Sequence, residues 1–135
     1  MSNDPITLAE GTIHNPDEHR HFMTLTPMTR RVRIARDGLS LAETTSAIRL
    51  LEVGYKMYPP VIYLPSADIS VSLTRTARVT HCPLKGDCFW YSADVTEGSD
   101  IAWSYENTFA FAQGLQGLVA FDADRVMIEE EPLSW

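Results

Sequence analysis

Apolar and polar residues alternate one by one in short segments along this chain, and turn residues end each segment within roughly 8 to 12 positions. Val32 and Ile34 alternate with Arg31, Arg33 and Ala35; Leu39 and Leu41 alternate with Ser40 and Ala42; Ile69, Val71 and Leu73 alternate with Ser70, Ser72 and Thr74. A period of two sends successive side chains to opposite faces of a pleated strand, so each segment can bury one face and wet the other. Asp37-Gly38 between the first two segments suits a two-residue primed turn and predicts a hairpin. Further strands are expected at Val61-Ile62-Tyr63-Leu64, at residues 77–81, 89–96 and 101–105, and in a closing hairpin built from Leu118-Val119-Ala120-Phe121 and Val126-Met127-Ile128. Turns are expected at residues 83–87 and at Glu97-Gly98-Ser99-Asp100. Residues 46–54 fit helix or strand, and one short helix is expected near residues 109–113. The pattern predicts an all-β fold, a compact barrel or sandwich of short antiparallel strands with one or two short helices.

A chain of 135 residues has room for one domain. Pro5, Pro16 and Pro27, with the polar run from His14 to His21, mark residues 1–23 as a tail or arm, leaving 24–135 as the domain. Three of the four histidines, His14, His19 and His21, fall in that run. Charge and proline separate them on a segment read as solvated, so no metal centre is expected there. A net charge of −7 repels phosphate backbones and anionic membranes, which argues against nucleic-acid and membrane partners. Two cysteines cannot staple a domain of this size, and no charged-then-apolar leader or membrane-length apolar run is present. A soluble, cytoplasmic protein is expected, with its oligomeric state left open.

Reactive side chains are densest in Thr80-His81-Cys82-Pro83-Leu84-Lys85-Gly86-Asp87-Cys88. His81 supplies an imidazole for acid/base work, Lys85 an ammonium, and Cys82 a thiol that a neighbouring cation can activate. Neighbours on a strand face opposite ways, so His81 and Cys82 do not naturally serve one atom. Cys82 and Cys88 are spaced too widely for a metal hook or a thioredoxin-like pair, although a turn could bring them within bridging distance. Trp103 and Tyr105, two apart on one strand, share a face, and with Tyr63 form either core or the walls of a ligand cleft. Glu52 is a lone acid within an apolar stretch and calls for a partner among Lys85, His81 and Arg49.

The blocks Arg31-Val32-Arg33-Ile34, Leu50-Leu51-Glu52-Val53-Gly54-Tyr55, Pro59-Pro60-Val61-Ile62-Tyr63-Leu64-Pro65, His81-Cys82-Pro83-Leu84-Lys85-Gly86, Ala102-Trp103-Ser104-Tyr105 and Gly117-Leu118-Val119-Ala120-Phe121 occur in one order. Together they resemble the family catalogued as domain of unknown function 427, from about Thr24 to about Glu130. The Cys-Pro-x-Lys-Gly and Ala-Trp-Ser-Tyr blocks are the specific ones. Lys56-Met57-Tyr58 stands as an insertion before the Pro-Pro pair. The resemblance implies a β-tent fold, related to methionine sulfoxide reductase B and the cereblon ligand-binding domain, and supplies no reaction. The nucleotidyltransferase label sometimes attached to the family lacks its Gly-Ser and paired-aspartate pattern here.

The leading expectation is a small-molecule site, enzymatic or not. Tyr63, Trp103 and Tyr105 form its walls, with Arg49 and Cys82 as further ligand contacts and Glu52, His81 and Lys85 as the acting groups. No cofactor is expected. The alternatives are a non-catalytic binding or interaction module, and thiol redox chemistry at Cys82 resolved by Cys88.

Overall fold

A computed structural model describes residues 7–96 and 100–133. The fold is all-β. Eight strands form one curled antiparallel sheet: β1 (Ile13–Asn15), β2 (Glu18–Pro27), β5 (Ile48–Val53), β6 (Val61–Leu64), β10 (Val119–Phe121), β9 (Ala102–Thr108), β8 (Gly86–Ala93) and β7 (Leu73–Cys82), in that spatial order. A second sheet has β3 (Arg30–Arg36) between β11 (Met127–Pro132) and β4 (Leu39–Thr44). Two short 3-10 helices, Ser66–Asp68 and Ala110–Leu115, complete the described elements. Among the described residues no helix is long and apolar enough to cross a membrane.

The large sheet is buried on both faces at its centre, which explains why β6 and β10 read as unbroken apolar runs rather than alternating ones. On one face Leu64, Ala102, Val119 and Phe121 pack against Val32, Ile34 and Leu41 of the small sheet. On the concave face Met23, Leu50, Tyr63, Leu84, Cys88, Tyr105 and Ala120 form a second core, closed by Ala112 and Leu115 of the 3-10 helix. The curl brings the β7–β8 hairpin round to face β2 and β5. Leu84, in the turn of that hairpin, is 1% exposed and anchors it in the concave core.

The Asp37-Gly38 hairpin forms as expected, with φ of 50° and 79° at the two turn residues. Other expectations are corrected. Residues 13–23 are not a tail: β1 and β2 pair with each other, β2 pairs with β5 from Phe22↔Val53 to Pro27↔Ile48, and Met23 is fully buried. The ambiguous stretch at 46–54 is strand β5, because it fills the gap between β2 and β6. β7 runs as one strand from Leu73, while Ile69 makes only an isolated bridge to Ala42. Gly86 opens β8 instead of sitting in the turn. The closing hairpin does not form. β10 lies between β6 and β9, whereas β11 crosses to the other sheet and pairs with β3. Most of the turn expected at Glu97-Gly98-Ser99-Asp100 lies outside the described residues.

Candidate functional site

The residues that meet in one place do so because strand alternation aims them inward. On β5, Leu50 and Glu52 share the concave face, and Arg49 and Leu51 point away. On β2, His21 lies two residues before buried Met23 and takes the same side. In the β7–β8 turn, Lys85 follows Leu84 inward; its backbone carbonyl accepts the Phe109 N–H at 3.3 Å, and its side chain is 9% exposed. Gly86 lets the turn close. Its φ is +116°, and a Cβ there would lie 2.2 Å from the Asn107 carbonyl oxygen.

These elements surround a cleft of about 1080 Å³. A chain of charges forms its floor. The Lys85 ammonium donates to Glu52 Oε1, and His21 Nε2 lies 2.7 Å from Glu52 Oε2. An ionised carboxylate only accepts, so a His21 proton sits on Nε2 and is donated to Glu52. Burial alone would raise the Glu52 carboxyl. The Lys85 charge and the bonds from His21 and Lys85 outweigh it and hold the group below the usual carboxylate value. Lys85 Nζ also stands 5.3 Å above the centroid of the Tyr105 ring.

Tyr58, Pro59, Pro60 and Val61 form the apolar wall. The segment Lys56-Met57-Tyr58 builds part of it. Met57 bridges back to Val53, and the Tyr58 N–H donates to the Glu52 carbonyl at 3.0 Å, which returns the Tyr58 ring to the cleft. Glu18, Arg20, Asp122 and Asp124 line the outer part. Arg20 is already held by Glu18 through two bonds of 2.9 Å.

Of the residues singled out from sequence, Glu52 and Lys85 touch, and Cys82 lines the same cleft. His81 reaches the rim only. Its side chain is 58% exposed, its Nδ1 lies 2.9 Å from Asp87 Oδ1, and its ring meets Phe109 edge-on. Tyr63, Trp103 and Tyr105 are not the walls. They lie in the core below the cleft, where the Trp103 indole N–H donates to the Tyr63 hydroxyl at 3.0 Å and burial pushes both phenols up from their ordinary pKa. Arg49 is on the far face, 3.1 Å from Glu130 of β11. Cys82 and Cys88 are both free thiols, and burial raises Cys88, which makes it a poor thiolate at neutral pH.

Sequence reading missed His21, the imidazole that does reach Glu52. The available signal was the alternation His21, Met23, Leu25, which joins the histidine to an apolar face. Charge in the preceding residues masked it. The structure also gathers a His21 ring nitrogen, a Glu52 oxygen and Cys82 Sγ within 4.8 Å of one another.

No curated protein matches the chain. The family model described as Domain of unknown function (DUF427) matches residues 24–132, which takes in β5, the β7–β8 turn and the whole cleft wall from Tyr58 to Val61. The chain belongs to that family.

Proposed function

We propose that the cleft binds a small, neutral or cationic organic molecule with an apolar body, and that Lys85, Glu52 and His21 engage its polar end. One observation carries this reading: a largely buried Lys–Glu–His chain faces a cleft with an apolar wall at Tyr58, Pro59, Pro60 and Val61. Burying charges is costly, and replacing such a pair with apolar residues is often neutral or stabilising, so stability alone is a weak reason for it. Convergent polar groups in a cleft with an apolar wall are what a ligand site requires.

The charges narrow the ligand class. Four carboxylates and two cations line the cleft, and each cation is paired, Lys85 with Glu52 and Arg20 with Glu18. A polyanion such as a nucleoside triphosphate is therefore disfavoured. The ammonium has three N–H donors and Glu52 uses one, which leaves donors for a ligand carbonyl or hydroxyl. A ligand bound here meets an ammonium and an imidazole joined through one carboxylate, an arrangement suited to proton exchange. His21 thus takes the acid/base role first assigned to His81.

A thermal-shift screen of metabolites, grouped by charge, tests the reading. A ligand at 100 times its Kd adds about 2.7 kcal/mol, or roughly 8–10 °C in Tm for a domain of this size. Neutral or cationic ring-bearing compounds should raise the wild-type Tm and fail to raise that of Tyr58→Ala and His21→Gln. An absence of hits, or shifts that persist in both variants, overturns it.

A further inference from the structure

We propose that His21, Glu52 and Cys82 form a site for one divalent transition-metal ion of the zinc class at the cleft floor. The three ligand atoms lie within 4.8 Å of one another. They come from β2, β5 and β7, strands whose backbones the sheet holds in place. A nitrogen, an oxygen and a sulfur together suit borderline-soft ions such as Zn²⁺ and Co²⁺, whereas Mg²⁺ and Ca²⁺ take oxygen. Three protein ligands beside an open cleft leave a fourth position for water or a ligand atom, as in zinc sites that act on substrates.

The distances admit an ion after small movements. His21 Nε2 and Glu52 Oε2 are 2.7 Å apart because they share a proton. Ligands at about 2.0–2.3 Å from a tetrahedral ion stand roughly 3.3–3.6 Å from one another. The ion therefore replaces that proton, and the two side chains part by less than about 1 Å. Gly54 leaves the imidazole its space: a Cβ at that position would lie 3.3 Å from His21 Cδ2. Lys85 stays on Glu52 Oε1 and orients the carboxylate from outside the ligand set. Its charge opposes the cation, so binding is weaker than at an all-thiolate site.

The site shares His21 and Glu52 with the ligand reading above but does not rest on it, and metal alone is the probe. Metal-free protein is titrated with Co²⁺, and Zn²⁺ then displaces it. We expect one equivalent of Co²⁺ with a thiolate-to-cobalt charge-transfer band in the near ultraviolet. Cys82→Ser should abolish the band, and His21→Gln should weaken binding at least 10-fold, with near-ultraviolet circular dichroism confirming that both variants are folded. The double variant His14→Ala/His19→Ala removes the other imidazole pair, whose ring centroids are 4.4 Å apart, and should bind as wild type does. The proposal fails if wild type shows no saturable one-to-one binding, if the band survives in Cys82→Ser, or if binding follows His14 and His19.

Discussion

Replacing Lys85 with Met removes the ammonium and keeps most of the side-chain volume, so the change isolates the charge. Glu52 then keeps its hydrogen bond with His21 at the cleft floor. The side chains of Lys85 and Glu52 are only 9% and 10% exposed, so solvent screens the lost attraction weakly. Breaking a buried pair by removing one partner costs about 3–5 kcal/mol. The lower figure applies here, because Glu52 keeps the His21 bond and borders the cleft: about 3 kcal/mol. With a urea m-value of about 1.5–2 kcal/mol/M, the unfolding midpoint falls by roughly 1.5–2 M.

Acid supplies an internal control. Glu52 has its carboxyl pKa held below the ordinary 4.5 in the folded protein. A depressed folded value means that the group's stabilisation is complete above the unfolded value and is lost as pH falls through the folded one. The gap between wild type and Lys85→Met should therefore be full at pH 7 and narrow below pH 4.5. Urea curves at both pH values measure it. In Lys85→Met/Glu52→Gln both charges are gone, and the double variant should recover about 1–3 kcal/mol relative to the sum of the singles. A Lys85→Met cost under about 1 kcal/mol, or strictly additive singles, would refute the view that the pair is a desolvated unit.

Two further outcomes follow from the backbone and from the buried phenols. Gly86→Ala should cost about 3–5 kcal/mol, because it combines strain at a φ of +116° with a Cβ set against the Asn107 carbonyl. Gly38→Ala, at a φ of +79° with nothing within 4 Å, should cost about 1 kcal/mol in the same denaturation assay, and equal costs would contradict the clash. Stability should also decline above pH 10. Tyr63 and Tyr105 have their pKa raised by burial, so the unfolded chain loses those protons near the ordinary value of 10.0 while the folded one keeps them. Spectrophotometric titration should show at least two of the five tyrosines resisting ionisation until the protein unfolds, with Tyr91 also raised by burial and by Glu106, and normal titration of every tyrosine in folded protein would sink the assignment.

What the sequence made legible was local. Asp37-Gly38 encodes its hairpin because two adjacent residues with positive φ suffice to turn the chain. Asp122-Ala123-Asp124-Arg125 carries turn residues too, yet the strands on either side part company. β10 is buried throughout, and only the middle of the large sheet offers two apolar faces. β11 bears Glu130 and Glu131, which meet Arg30 and Arg33 of β3 at 3.5 and 2.9 Å. Pairing is settled by burial and charge on distant strands, and a turn signal does not contain that information. His21 was hidden for the same reason, since its partner Glu52 is 31 residues away. The segment from His81 to Gly86 was visible as a cluster of chemistry, but which of its two basic side chains, His81 or Lys85, faces inward depends on Leu84 burying beside Lys85.

The cleft is a consequence of sheet curvature rather than of any one loop. β5 and β8 are separated in the large sheet by β6, β10 and β9, so a flat sheet would hold Glu52 and the turn after β7 several strand spacings apart. At about 4.8 Å per strand, four steps amount to roughly 19 Å. Lys85 and Glu52 nevertheless touch, which requires the sheet to close on itself until its concave face becomes a hollow. The apolar residues inside, Met23, Leu84 and Leu115 among them, drive that closure without specifying where the rim meets. A directional contact between a fixed ammonium and a fixed carboxylate does specify it. The same ion pair thus fixes where the rim meets and, on the ligand reading proposed above, offers its spare hydrogen-bonding capacity to the guest, so that reading predicts that changes at Lys85 or Glu52 alter stability and binding together. Changes at Tyr58 or His21 act on the wall or the far end of the charge chain and leave the Lys85–Glu52 contact in place, so on the same reading they separate binding from folding.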